Sequence, residues 1–170
     1  CASLPVVNVA VGRRLGYPLK LASTLVIAGR AGHLFARWDD PAGERFNIDT
    51  NDDGLSCEPD DHYRKGLFEI PPLVERKGCL LLSKTPRQEL AGFLAERGHV
   101  WLASGNQRKA VESVIWATAL HPENVLLSNF LTFTMNGWYE DLERRKPPNF
   151  PPLDFPRYQP RFAGIPVETE

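Results

Sequence analysis

The 170-residue chain has no excess of charge of either sign, with 20 Lys and Arg against 21 Asp and Glu and a formal net charge of -1 at pH 7. So balanced a chain has no basic field to neutralise a phosphate backbone, and nucleic acid is not an expected partner. Long apolar runs are also missing. The longest, around Leu21 to Gly29 and Val125 to Met135, fall well short of the about 18 residues that mark a membrane span, so no membrane partner is expected. Cysteine is scarce. Cys1, Cys57 and Cys79 are an odd number without close spacing, which argues against a disulfide framework and a CxxC zinc site and fits a reducing, cytoplasmic compartment. Because residue 1 is Cys and not Met, the chain is expected to continue upstream or to be processed. With 42% hydrophobic residues, it can form one globular domain, or a small domain with an appendage.

The first helix is expected over Ser3 to Leu15, with apolar residues at Leu4, Val7, Val11 and Leu15 and with stop signals at Gly16 and Pro18. Pro5 is tolerated in its first turn. Few strong polar residues interrupt this helix, which suits a buried central position. Leu19 to Val26, GHLFARWDD and RFNIDT are short, rich in aromatic and β-branched residues, and read as strands. The last two form an antiparallel hairpin across the turn residues Asp39, Asp40, Pro41, Ala42 and Gly43. Positions 51–72, acidic and broken by Pro and Gly, read as a long ordered loop.

Helical periodicity starts at Thr85, an N-cap for Pro86, with Leu90, Phe93, Leu94, Arg97 and Trp101 on one face. A second helix runs from about Asn106 to Leu120, ended by Pro122. A third spans Val125 to Arg145 with Leu127, Leu131, Met135, Trp138 and Leu142 on one face. Seven of the last 24 residues are proline, so the tail from Pro147 is extended, its aromatics Phe150, Phe155, Tyr158 and Phe162 strapping it to its own domain.

Three residues carry a possible chemistry. Cys1 precedes the first helix, where unpaired N–H groups and the helix dipole favour a thiolate. A hairpin centred on Pro41 sets His33 opposite Asp49 across the ladder. The same register turns Leu34, Ala36, Phe46 and Ile48 to the core and His33, Phe35, Asn47 and Asp49 to the other face. It sets Arg37 against Arg45, and it puts Asn47, the alternative orienter, opposite Phe35. A thiolate, an imidazole that shuttles its proton and a carboxylate that fixes the imidazole tautomer form a nucleophile, base and orienter set.

CASLPVVNVAVGRRLGYPLKL, GHLFARWDD and GERFNIDTNDDGLSCEPDDHYR, with their spacing, resemble bacterial transglutaminase-like proteins of the papain-like superfamily, in the branch that carries a tetratricopeptide-like helical extension. The resemblance covers residues 1 to about 70 well and the helical half more loosely. It implies an α+β fold: a papain/transglutaminase-like core over 1–82, with a buried N-terminal helix on a small antiparallel sheet, then a helical region over 83–146 and the Pro-rich tail over 147–170. It also implies Cys1 as nucleophile, His33 as base and Asp49 as orienter, acting on a protein or peptide substrate through an acyl-enzyme, with no cofactor. The alternative is a catalytically inactive scaffold that binds a protein partner through the helical region.

Other readings compete for the same residues. Asp49, Asn51, Asp53, Gly54, Leu55 and Asp60 match calcium-loop positions, with Asp60 in place of the final Glu and a strand where the entering helix belongs. Asp60, Asp61 and His62 offer a second metal set. A chain beginning at a cysteine could use its own α-amine as base, which would leave His33 and Asp49 without a role. In the helical half, Gly98, Trp101, Ala110, Val114, Ala117 and Pro122 fall on the ~34-residue tetratricopeptide pattern, with Arg97 where a Leu is usual.

Overall fold

The computed structural model describes residues 3–24, 32–52, 54–65 and 70–145. Cys1, Asp53, the approach to His33 over 25–31 and the Pro-rich tail lie outside the described residues. The chain divides into two units, residues 1–89 and 90–170. The first contains α1 (Ser3–Arg14), β1 (Leu19–Ser23), β2 (Leu34–Asp39), β3 (Arg45–Asp52), β4 (Gly54–Ser56), α2 (Asp60–Lys65), α3 (Pro72–Lys77) and the first turn of α4 (Pro86–Ala103). It is mixed α+β, with an antiparallel sheet in the order β1-β2-β3-β4.

Helix α1 stops where Gly16 turns left-handed, at φ 84°. Tyr17 N–H then reaches the Gly12 carbonyl at 2.9 Å and Gly16 N–H the Arg13 carbonyl at 3.1 Å, the paired bonds of a Schellman cap. The helix lies on one face of the sheet, where Val9, Leu19, Leu21 and Ala36 form a cluster flanked by Val6, Leu34, Trp38 and Ile48. A Cβ on Gly12 would stand 2.3 Å from Leu19 Cδ1, so a side chain there would force the buried Leu19 to move. The buried stripe is therefore Pro5, Val9 and Gly12, and the expected stripe of Leu4, Val7, Val11 and Leu15 is exposed. The helix is peripheral and presents its small residues to the sheet, because those let its backbone come close.

The hairpin differs from expectation by two residues. Ala36 pairs with Ile48, Arg37 with Asn47, Trp38 with Phe46 and Asp39 with Arg45, which centres the turn on Ala42 and not Pro41. Asp40 N–H to the Glu44 carbonyl (2.9 Å) and Gly43 N–H to the Asp40 carbonyl (3.0 Å) close it, with Gly43 at φ 108°. Side chains alternate with period two, so a shift of two keeps every residue on its expected face. The shift also pairs Arg45 with Asp39 and sets Asn47 opposite Arg37, not Phe35, although both guanidinium groups still converge on Asp60 and the Leu81 carbonyl.

Residues 51–72 are not a plain loop, since they include β4, α2 and the start of α3. Asp60 and Asp61 open α2 and Arg64 and Lys65 close it, matching the helix dipole, and Asp61 pairs with Arg64 at 2.5 Å and Lys65 at 2.7 Å. After α3, Cys79 and Leu81 adopt left-handed φ of 50° and 53°. This turn carries Leu81 N–H to the Ser23 carbonyl and Lys84 N–H to the Leu21 carbonyl, each at 2.9 Å, along β1. The buried Glu89 carboxylate takes both Arg13 Nη atoms at 2.8 and 2.6 Å and the Leu21 N–H at 3.1 Å.

The second unit is built from the rest of α4, α5 (Gln107–Leu120) and α6 (Val125–Arg145). Asn106 caps α5 by accepting from Lys109 N–H at 3.2 Å. Ala91, Ala95, Ala117 and Leu127 form one cluster, and Val111, Val114 and Leu131 with Phe130, Met135 and Trp138 form another. The α6 face is the expected one. On α4, Leu90 and Phe93 are exposed, and Ala91, Ala95 and Gly98 are buried in their place. A Cβ on Gly98 would stand 2.6 Å from Val114 Cγ2, so α4 and α5 meet too closely for larger side chains at their crossing. Among the described residues no helix is long and apolar enough to cross a membrane.

Candidate active site

The sheet face away from α1 is also covered, by polar groups. Arg37 is fully buried, and burial lowers its pKa while Asp60 opposes the shift. Its Nε donates to Asn47 Oδ1 at 2.6 Å, its Nη1 to the Leu81 carbonyl at 2.6 Å, and its Nη2 to Asp60 Oδ1. Asn47 Nδ2 in turn donates to the Glu58 carbonyl at 2.8 Å and to Asp60 Oδ1 at 2.9 Å. A guanidinium buried this deeply is tolerated because each of its nitrogens has an acceptor. The result is that β2 and β3 hold the first turn of α2. At the other end of α2, Arg64 grips Glu75 of α3 with bonds of 2.7 and 2.8 Å.

Asp60 and Tyr63 are three residues apart on α2 and so share a face. With Asp60 clamped, the Tyr63 ring stacks on Phe35, with centroids 4.3 Å apart and planes 8° from parallel. It also lies 5.8 Å from the His33 ring at 25°. Its hydroxyl donates to Asp49 Oδ2 at 3.1 Å. Burial first, then the Asp49 charge and hydrogen bond, push the Tyr63 pKa well above that of an ordinary phenol, so the hydroxyl keeps its proton.

His33 and Asp49 meet in this setting. His33 Nε2 and Asp49 Oδ2 are 2.5 Å apart, with side chains 13% and 15% exposed. In the observed register Asp49 is the cross-strand neighbour of Phe35, so His33 reaches it diagonally. The His33 backbone is pinned by its N–H to Thr24 Oγ1 at 2.8 Å and by its carbonyl, which accepts from Thr24 N–H at 2.9 Å. A carboxylate only accepts, so in a neutral imidazole the proton resides on Nε2 and Nδ1 is the basic nitrogen. The arrangement allows the imidazole to act as a base with the carboxylate orienting it.

The third expected member, Cys1, lies outside the described residues, as do the side chains of Asn51 and Asp53. The run 49–52 is the extended end of β3 and does not wrap as a calcium loop does. Asp49 faces His33 and Tyr63, while Asp60 serves Arg37 and Asn47. Asp61 pairs with Arg64 and Lys65, and the exposed His62 is 3.5 Å from Glu58. Among the described residues no group of three or more His, Cys, Asp or Glu is placed to hold a metal ion. Sequence reasoning missed Tyr63 and Arg37. The i, i+3 spacing of Asp60 and Tyr63 in DDHYR was the available signal for the first, and a lone arginine in an alternating strand gave none for the second. No protein-family model, curated protein or solved structure matches the chain.

Proposed function

We propose that the chain is a transglutaminase-like cysteine hydrolase or acyltransferase acting on a peptide or carboxamide bond, with Cys1 as nucleophile, His33 as base and Asp49 as orienter. The observation that carries this reading is the His33–Asp49 contact, on a face where burial and neighbours hold both side chains.

In the reaction His33 Nδ1 takes the Cys1 thiol proton and the thiolate sulfur attacks the substrate carbonyl carbon. The proton then passes to the leaving nitrogen as the C–N bond breaks, giving a thioester and a free amine or ammonia. Water or a second amine attacks the thioester, loses its proton to His33, and releases an acid or a new amide with the thiol restored. Asp49 holds the Nε2–H tautomer and stabilises the imidazolium formed at each step. Among the described residues Cys57 and Cys79 form no disulfide, which supports a reducing, cytoplasmic setting.

Alkylation followed by mass spectrometry tests the reading. Cys1 should react about tenfold faster at neutral pH than the exposed Cys57, its rate inflecting below about 8.5, and His33→Ala should abolish the advantage. The second reading is an inert scaffold that binds a protein partner through the helical unit, and it is favoured by the exposed Phe93, Trp116 and Phe133. A Cys1 that labels no faster than Cys57 would establish it over the first.

A further inference from the structure

We infer that Tyr63 is a positioning residue of this site, whose hydroxyl holds the Asp49 carboxylate so that Oδ2 faces His33 Nε2. The inference rests on the proposed function, in which Asp49 orients the base. A carboxylate can turn about its χ torsions, and each further donor narrows the orientations open to it. Here Oδ2 takes two donors, His33 Nε2 at 2.5 Å and Tyr63 Oη at 3.1 Å. The Tyr63 ring has its own constraints: it is buried, stacked on Phe35, and edge-on to His62 with centroids 5.2 Å apart. Its helix is clamped three residues earlier through Asp60 to Arg37 and Asn47. The charged groups that act on Tyr63 are Asp49 and Glu58, with Arg37 opposing them.

A continuous chain of fixed groups therefore runs from the buried guanidinium through Asp60, along one turn of α2, to the hydroxyl and on to the carboxylate. Apart from the turn of α2, each link is a hydrogen bond between side chains far apart in sequence. Packing alone does not require the hydroxyl, since phenylalanine would fill the same space against Phe35. The donor is what the site adds, in a group that burial keeps protonated.

Tyr63→Phe removes the hydroxyl and keeps the ring. In the full chain labelled with ¹⁵N, the wild type should show His33 as the Nε2–H tautomer with a proton slow to exchange with solvent. In Tyr63→Phe that proton should exchange faster, and Cys1 alkylation should slow by about fivefold, the scale of the net loss of one typical hydrogen bond. Unchanged His33 signals and an unchanged Cys1 rate would overturn the inference, as would a slower Cys1 with unchanged His33 signals. If wild-type Cys1 reacts no faster than Cys57, the functional reading fails and the His33 signals alone decide whether Tyr63 positions Asp49. Should Tyr63→Phe not fold, 3-fluorotyrosine labelling makes the hydroxyl a stronger donor in the same fold. The His33 ring-nitrogen shifts must then move in the wild type and stay still in Asp49→Asn, and any other pattern overturns the role.

Discussion

In the first unit the large side chains withdrawn from solvent include Arg37, Tyr63 and Asn47, all on the sheet face that carries His33 and Asp49. In the second unit α4 and α5 meet through Ala91, Ala95, Gly98, Ala110, Val114 and Ala117. Both interiors are dense, but for different reasons. Alanines and glycine let helix axes approach, and their stabilisation is apolar burial with little side-chain entropy lost. Burying an arginine adds nothing comparable to stability, because its desolvation roughly cancels its bonds. What such a network supplies is direction, since each bond is lost if a partner turns. The comparison assigns packing to the helical unit and positioning to the polar face of the sheet.

The largest test of that contrast is Arg37→Met. Methionine keeps most of the volume but removes the closest donor to Asp60 and to the Leu81 carbonyl. Arg45 stays within 3.2 and 3.3 Å of them and Asn47 still donates to Asp60, so the cost should lie at the lower end of the about 3 to 5 kcal/mol for breaking a buried pair. Hydrogen exchange followed segment by segment should show β2, β3 and α2 losing protection while α5 and α6 keep theirs. A loss below about 1 kcal/mol would mean that the α1 face alone holds the sheet.

Gly98→Ala probes the other side of the comparison. Its Cβ would press on Val114 Cγ2 at 2.6 Å and Phe130 Cε1 at 3.4 Å. Overpacking costs about 1 to 3 kcal/mol, and the better helix propensity of alanine returns up to about 1. A net loss of about 1 kcal/mol in urea unfolding is expected, with α4 and α5 losing protection together. Adding Val114→Ala should recover part of it, because the second change makes the room that the first needs.

The smallest effect concerns the rim of the polar face. Lys20 Nζ lies 2.9 Å from Asp39 Oδ2, and this hydrogen bond is the main reason that the Asp39 pKa lies below its ordinary 3.8. A carboxylate with a depressed folded pKa adds stability above its unfolded pKa and loses it as pH falls through the folded value. Both side chains are substantially exposed, so Lys20→Met should cost no more than about 0.5 kcal/mol near neutrality. That difference should begin to fall as the pH is taken below about 4 and vanish only below the lowered folded value, and it should shrink in high salt. A larger cost would move this rim pair into the same class as the buried network.

Helices α1 and α4 mislead a reader of the sequence in the same way. In each, the large residues at helical spacing (Leu4, Val7, Val11 and Leu15; Leu90 and Phe93) remain exposed, and the face that packs carries glycine with Val9 or with alanines. Hydrophobic periodicity weights side chains by size, whereas a close helix contact selects for the absence of size. The hairpin pairing expected from the sequence differs from the observed one by two residues, and His33 and Asp49 nevertheless share a face and touch. An even error in register preserves side-chain parity, and parity was all that the expectation needed.

The sequence by itself determined where α1 ends, where α4 starts and where α5 begins and ends, and which hairpin residues share a side. Gly16 ends α1, and Thr85 and Gln88 exchange the reciprocal bonds that start α4, at 2.9 and 3.3 Å. Asn106 caps α5, and Pro122 follows its last turn. These outcomes depend on backbone preferences spanning a few residues. Only the tertiary structure decided which helix faces are buried, where the hairpin pairs, and that Arg37, Asp60 and Tyr63 stand behind Asp49. Those contacts join residues separated by 14 to 44 positions. A polar side chain has no reason to be buried until its remote partners arrive, so no local pattern announces it.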